Sequence, residues 1–425
     1  MKERKRVLAL SVLFLAVATV CCSQLGWAQE EGLGPKQMIL DSLKVTGHVD
    51  PSFGKMVLQT ADGNFKYWLD MRCWVDAAFY NENLNPLHSG VEIRRMRFAV
   101  NGVLWKNWFT QFDIGFEDDA VDIKDAYIGY MVPWGNGYLK AGNFKVQFSM
   151  EELTSSLNED LFERSLDDGF APGRRVGLGY TMWGNKWLAS VGYFGDALSA
   201  TPDPGNGQSS GTTAGVRAVY TPMLQEKQII HLGIGLVHQT PDASTPNAWK
   251  YNSRPETDVC RDKFLKTGSI GNVSNNEMYD IEAASVFGPF RLQGDYTGVQ
   301  LNRINNNPTL NFSGGYVFVG YVLTGESHEY DPKLGEFMRL FPSGASSLGA
   351  LEVLFRVSTM NLNSGPVTGG KTTEYSGEID WYFNTNVRFY LNVAHMDNDK
   401  YATGNGSFKG GDSYEMVQLR FAVQY

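Results

Sequence analysis

One pattern recurs throughout this sequence: segments of about 9 to 12 residues in which apolar and polar side chains alternate. In EIRRMRFAVNG, residues 92–102, Met96, Phe98 and Val100 fall on one side of an extended chain, and Arg95 and Arg97 fall on the other. A soluble core would bury such charges at a high energetic cost, whereas a water-filled lumen leaves them hydrated. About 16 such segments follow one another after residue 64, so we predict an all-β fold, a transmembrane antiparallel β-barrel of about 16 strands.

The connections between these segments alternate in length. Short links such as PWGNG, GNK and NTN interleave with long polar loops at 145–172, 196–212, 239–277, 300–311, 361–373 and 397–412. Outer-membrane barrels have short turns at one rim and long loops at the other, whereas a soluble sandwich has no reason to alternate in this way. The segment 324–347 is an exception, because it is a long link on the predicted short-turn side. The last segment alternates strictly and ends on Tyr425, an aromatic ending typical of such barrels.

The amino terminus has the form of a secretory signal peptide. Basic residues precede an apolar run at 7–20, and small residues lead to a predicted cleavage after Ala28. Cys21 and Cys22 raise the alternative of a lipoprotein signal, although Val20 is a poor residue before a lipidated cysteine. We therefore predict a signal peptide at 1–28, an N-terminal periplasmic segment at 29–64 and a transmembrane barrel at 65–425.

Composition excludes several other classes of protein. The formal net charge is -9, which disfavours nucleic acid as a partner. No run of apolar residues beyond residue 28 is long enough for a spanning helix. The cysteines that remain in the mature chain, Cys73 and Cys260, allow one disulfide at most. The six histidines are scattered and no serine-glycine elbow occurs, so we expect no metal, no cofactor and no enzyme activity.

The polar faces of the predicted strands carry charges of both signs. If the hairpin around residues 105–107 pairs Asn101 with Gln111, then Arg95 faces Glu117 and Arg97 is diagonal to it. Asp113, Glu117 and Asp125 would then form an acidic ladder in the lumen. Two interpretations follow: the arginines brace the wall through ion pairs, or some of them line a path for anions.

Several segments resemble the phosphate-selective porin O and P family of outer-membrane channels. The matching stretches are EIRRMRFAVNG at 92–102, VDIKDAYIGY at 121–130, YVLTGESHEYDP at 321–332, LEVLFRVSTMNL at 351–362, and above all the block from Leu139 to Tyr180. The resemblance implies a 16-stranded barrel, a homotrimer embedded in the outer-membrane lipid of a Gram-negative bacterium, and a long third loop at 145–172 that folds into the lumen and narrows it. It places Lys145 and Arg164 on this loop, with Arg174 and Arg175 at the start of the next strand.

We therefore predict a passive channel for small hydrophilic solutes, inorganic anions or phosphate. The predicted anion-contacting residues are Arg95, Arg97, Lys145, Arg164, Arg174 and Arg175. The third loop also carries seven acidic residues, so we do not expect the loop alone to act as an anion filter. The alternatives are a structural or adhesive barrel without transport and an outer-membrane enzyme.

Overall fold

The computed structural model describes residues 45–50, 55–117, 121–198, 211–241, 247–344 and 348–425. The predicted signal peptide lies outside the described residues. Two compact units divide the chain, and the one formed by Thr46–Gln59 and Gly63–Tyr425 contains the barrel. In the other unit, the described residues are Val45 and Thr60–Asp62, and the Thr60 hydroxyl is 2.5 Å from the Asp62 carboxylate.

The described residues form mainly strands. In chain order these are β1 Val45–Asp50, β2 Lys55–Thr60, β3 Phe65–Asn81, β4 Gly90–Leu104, β5 Trp108–Gly115, β6 Asp122–Met131, β7 Gly137–Lys145, β8 Arg174–Trp183, β9 Trp187–Phe194, β10 Thr213–Gln225, β11 Gln228–Gln239, β12 Ala248–Trp249, β13 Asn252–Ser253, β14 Leu265–Lys266, β15 Ile270–Gly271, β16 Val273–Phe287, β17 Phe290–Arg303, β18 Leu310–Val322, β19 Tyr330–Asp331, β20 Glu336–Phe337, β21 Ala350–Ser364, β22 Val367–Tyr382, β23 Val387–Asn398 and β24 Ser413–Gln424. A one-turn helix α1, Met150–Leu153, and a 3-10 helix, Leu166–Phe170, lie between β7 and β8. Among the described residues, no helix is both long and apolar enough to cross a membrane.

Sixteen antiparallel strands close into a barrel, which confirms the predicted fold. They are β3 to β11, β16 to β18 and β21 to β24, each paired with the next, and β24 pairs with β3 to complete the ring. Outside the ring, β2 pairs with β3 through Val57, Leu58 and Gln59. The predicted register of the first hairpin is confirmed, since Asn101 lies opposite Gln111.

The outer surface of the barrel is apolar, as the alternation predicts. On β24, Val417, Phe421 and Val423 point outward with 39%, 47% and 41% of their surface exposed. Exposed aromatic residues flank the short turns at one rim, as in the interfacial girdle of membrane barrels; they include Trp108, Trp187, Tyr220, Phe287, Phe290, Tyr321 and Phe383. A depression of about 560 Å³ on the outer wall, lined by residues such as Leu236 and Tyr279, belongs to this outer face.

The links at the two rims follow the predicted rhythm, with one correction. The predicted loop at 361–373 is wrong, because β21 and β22 continue through it and are joined by residues 365 and 366 alone. Gly365 has a φ of +53° in this tight turn, a conformation that glycine adopts without strain. Residues 361–373 are mostly polar, yet they pair as strands. The long link on the short-turn side is real: residues 323–349 join β18 to β21.

The long-loop end of the barrel contains a packed apolar cluster. The link between β11 and β16 forms two small antiparallel pairs, β12 with β15 and β13 with β14. Phe264 in this link packs against Phe408 of the β23–β24 link, with ring centroids 4.6 Å apart. Cys260 is buried in the same cluster and Cys73 is exposed on the barrel wall, and both thiols are free.

Candidate pore constriction

The loop between β7 and β8, residues 146–173 and hereafter L3, folds into the lumen as the family resemblance implies. Its first residues lie against strands β10 and β11 at positions where the wall has glycine. A side chain at Gly215 would approach the Gln147 carbonyl within 2.9 Å, and one at Gly235 would meet the Phe148 carbonyl at 2.4 Å. Glycine therefore lets the L3 backbone contact the wall directly.

The beginning of L3 is tied to the end of β7 by Lys145. Its ammonium donates to the carbonyls of Glu152, Leu153 and Thr154, with a distance of 3.1 Å to the last. The Ser149 hydroxyl accepts from the Glu152 amide at 3.1 Å and caps α1. Lys145, which the sequence analysis predicts to contact anions, therefore also holds the start of L3 in place.

The acidity of L3 is compensated by arginines. Of its seven acidic residues, all except Asp167 form an ion pair with an arginine; these are Glu151, Glu152, Glu159, Asp160, Glu163 and Asp168. Burial alone would raise the pKa of Glu159, but Arg164 and Arg95 outweigh burial and lower it to about 2. Six of the seven loop carboxylates are therefore paired with arginines, which the sequence alone does not show.

One sector of the wall, where β22 to β24 meet β3, binds L3 directly. Arg420 on β24 pairs with Asp76 on β3 at 2.7 Å and also binds the Phe162 carbonyl and the Glu163 carboxylate. The Phe162 amide donates to Glu378 on β22 at 3.0 Å. Strands β22 to β24 therefore leave little open space beside this part of L3.

The 323–349 link enters the lumen from the opposite rim and meets L3. Asn158 of L3 donates to the Glu336 carboxylate at 3.3 Å and accepts from the Arg339 amide at 3.3 Å. Arg217 on β10 binds the Gly335 carbonyl at 2.8 Å, which holds the β19–β20 hairpin against the wall. Two segments from opposite rims thus build the narrow region together.

A histidine anchors this link between two carboxylates. The His328 ring nitrogens lie 3.0 Å from Glu352 on β21 and 3.8 Å from Asp160 on L3. Arg291 also pairs with Asp160. Three donor atoms of Asp160, His328 and Glu352 lie within 4.8 Å of one another, as in some metal sites. Here, however, the arginine supplies a positive charge at the position that a cation would need.

A cavity of about 230 Å³ remains on the other side of L3, against strands β3 to β8. Its charged lining is predominantly basic, with seven basic side chains and three acidic ones. The basic residues are Arg72, Arg95, Arg97, Lys140, Lys145, Arg164 and Arg174. The acidic residues are Asp113, Asp125 and Glu336. We refer to this cavity as the basic cavity.

The structure brings most of the predicted site residues together here. Of the six predicted anion contacts only Arg175 does not line the basic cavity, and its guanidinium lies 3.4 Å from the Gly195 carbonyl. Asp113 and Asp125 of the predicted acidic ladder line the cavity, whereas Glu117 only borders it and accepts from Arg97 at 3.0 Å.

One predicted pair is wrong. Arg95 does not face Glu117, because β5 ends at Gly115; its guanidinium lies 3.5 Å from Glu159 of L3 instead. Arg94 was missed because it is the extra residue of a β-bulge between Ile93 and Arg95. The bulge lets two consecutive arginines reach L3. The Nε and Nη2 atoms of Arg94 donate to the two carboxylate oxygens of Glu163 at 2.6 and 2.7 Å.

Arg72 and Lys140 were also missed. Strict alternation along β3 and β7 would have placed both on the lumen side, where the structure has them. Glu336 carried no sequence signal, because a short hairpin in a link has no face that can be assigned in advance.

Comparison with known proteins agrees with this architecture. Residues 68–425 match the family described as phosphate-selective porin O and P. An uncharacterised protein of Caulobacter vibrioides is 30% identical over 318 residues, which are 72% of this chain and 63% of that protein, so the chain spans less than two thirds of its length. Porin O of Pseudomonas aeruginosa is 23% identical over 408 residues, 87% of this chain and 91% of that protein.

Among solved structures, an anion-selective porin from Comamonas acidovorans has a similar fold. The TM-score is 0.56 at 12% sequence identity, and the match covers 85% of this chain and all of that one. The family match extends over nearly the whole described barrel, and the fold of the neighbour is that of a channel. The chain belongs to the phosphate-selective porin O and P family and is an outer-membrane porin.

Proposed function

We propose that this porin is a passive, anion-selective diffusion channel whose narrow passage is the basic cavity beside L3. The observation that carries the proposal is the excess of positive charge on that lining, seven basic against three acidic side chains. Charge-assisted hydrogen bonds from several groups attract an anion, and their number lets the ion move from one to the next. No bond is made or broken.

The arrangement of ion pairs supports this selectivity. Glu163 and Asp160 of L3 are held by Arg94, Arg420 and Arg291, and none of the seven acidic residues of L3 lines the basic cavity. Both interpretations of the sequence therefore apply in different places: arginines brace the wall along β22 to β24, and basic groups line a path along β3 to β8. Inorganic phosphate is the solute suggested by the family description.

The remaining expectations complete the proposal. The family resemblance supports a homotrimer surrounded by outer-membrane lipid, and the amino-terminal sequence supports export with cleavage after Ala28. The apolar outer wall fits a lipid environment.

Planar-bilayer recording of the purified protein tests the proposal. In asymmetric potassium chloride the reversal potential should show that chloride passes more readily than potassium. Phosphate added to the chloride solution should reduce the chloride current if it binds in the same passage. A preference for potassium would refute anion selectivity, and stable insertion without conductance steps would favour the structural or adhesive alternative.

A further inference from the structure

Lys140 on β7 differs from the other basic residues of the cavity. Its neighbour Leu139 is 51% exposed on the outer wall, so alternation turns Lys140 inward, where it lines the basic cavity. The residue is only partly buried, and its ammonium therefore keeps access to the cavity.

The other six cations lining the cavity are already bound to oxygen atoms of the protein. Arg97 binds Glu117 at 3.0 Å, Arg174 binds Asp125 at 2.6 Å, and Arg164 binds Glu152 at 2.7 Å. Arg95 pairs with Glu159 at 3.5 Å. Arg72 donates to the Ser156 hydroxyl at 2.6 Å, and Lys145 donates to three carbonyls of L3. A permeating anion has to compete with these partners for their N–H groups.

Lys140 is held by aromatic rings instead. Its ammonium lies 4.2 Å from the ring centre of Tyr127, 5.2 Å from that of Phe144 and 5.5 Å from that of Tyr138. In the part of the chain that the structure describes, it has no hydrogen-bond or ion-pair partner. Cation–π contacts position an ammonium through its charge and leave N–H donors free for a ligand.

The backbone next to these three aromatic rings is closely packed. Tyr127 on β6 lies opposite Gly142 on β7, which has a φ of +133°. A side chain at Gly142 would come within 2.3 Å of the Ala126 carbonyl and 2.7 Å of the Tyr127 Cα. The two strands therefore approach closely next to the rings that hold Lys140.

We propose that Lys140 is the principal anion-contacting residue of the basic cavity, a role that the ion-paired arginines around it cannot fill as readily. This inference rests on the proposed function. The ligand class is a small inorganic anion that accepts hydrogen bonds, such as chloride or phosphate. The arginines set the positive potential of the passage, and Lys140 supplies the donors that bind the ion.

The test compares single substitutions in the full-length porin. Lys140→Met removes the charge with little change in length, and Lys140→Arg retains it. Lys124→Met is the matched control, because Lys124 on the adjacent strand pairs with Asp122 at 2.6 Å and does not line the cavity. Heat-modifiable electrophoretic mobility establishes that each barrel is folded, and Lys140→Gln replaces the methionine variant if that barrel does not assemble.

In Lys140→Met we expect the anion-to-cation permeability ratio to fall and the phosphate concentration that half-blocks chloride current to rise about tenfold, as for loss of a hydrogen bond to a charged group. Lys140→Arg and Lys124→Met should remain within about twofold of wild type. An anion-selective wild type with an unchanged Lys140→Met variant would overturn the role of Lys140 alone. A cation-selective wild type would instead overturn the proposed function.

Discussion

Glu163 is one of the residues that fasten L3 to the barrel wall, and replacing it should loosen the constriction. Its carboxylate accepts two hydrogen bonds from Arg94 on β4, at 2.6 and 2.7 Å, and one from Arg420 on β24 at 2.6 Å. Burial would raise the pKa of Glu163, but Arg94 and Arg420 outweigh it and hold the pKa well below its usual range. The carboxylate is therefore ionised at neutral pH.

The expected loss of free energy follows from the contacts that the two arginines lose. Removing one partner of a buried ion pair costs about 3–5 kcal/mol. After Glu163→Gln, Arg420 still has Asp76 at 2.7 Å and Arg94 still has Asp258 at 3.5 Å, so the lower end of that range applies. About 3 kcal/mol raises the population of a detached L3 roughly a hundredfold. The interstrand ladder of the barrel makes no use of Glu163 and should survive.

Single-channel recording provides the assay. Glu163→Gln should show higher conductance levels or larger current fluctuations than wild type, because a detached loop no longer narrows the lumen. Glu415→Gln is the control, since Glu415 is 53% exposed and binds His395 and Asn81 at the rim. A folded Glu163→Gln channel with the same conductance histogram as wild type would refute the reasoning.

Three further predictions concern charge, pH and backbone conformation. Burial raises the pKa of Glu336 to about 7, although Lys145 opposes the shift. Because Glu336 becomes negatively charged as pH rises through 7, the anion-to-cation permeability ratio should fall over this range. Reversal potentials of Glu336→Gln should not show this fall. Burial lowers the pKa of His328, but Glu352 and Asp160 outweigh it and raise the pKa above 6.5. The contribution of protonated His328 to the stability of the folded barrel is therefore complete below pH 6.5 and is lost as pH rises through the pKa of the folded state. The Tm of the wild type should fall over this pH range, and the Tm of His328→Gln should not show this fall. Gly142→Ala should destabilise the barrel by about 1–3 kcal/mol, since alanine is strained at positive φ; an unchanged Tm would contradict this.

The barrel could be predicted because its signals are local. Alternation with a period of two residues assigns a face to each side chain without knowledge of the neighbouring strand, and link lengths assign the rims. The limits appear where one residue disturbs the count. The bulge at Arg94 brings two adjacent arginines to the lumen, and the polar ends of β21 and β22 look like a loop although they pair.

The constriction could be predicted only in part, because its chemistry depends on distant partners. The acidity of L3 is visible in the sequence, but Glu163 is compensated by arginines 69 and 257 positions away. Counting charges along the loop alone therefore could not show which of its carboxylates are paired with arginines of the wall. Lys140 was overlooked for the same reason. What sets it apart is that it has no oxygen partner within the described structure and that its ammonium contacts the ring of Tyr127 on another strand.

The position of Arg420 also has a consequence for folding kinetics. It joins Asp76 across 344 positions of sequence, at the seam where β24 meets β3. Contacts between such remote parts of a chain form late, because a long loop must first close. Since Glu163 of L3 binds Arg420 and Arg94 together, the loop obtains its full set of anchors only when the seam forms. An assembly intermediate with an open seam would therefore hold L3 without its contact to Arg420, and the constriction would be completed only when the barrel closes.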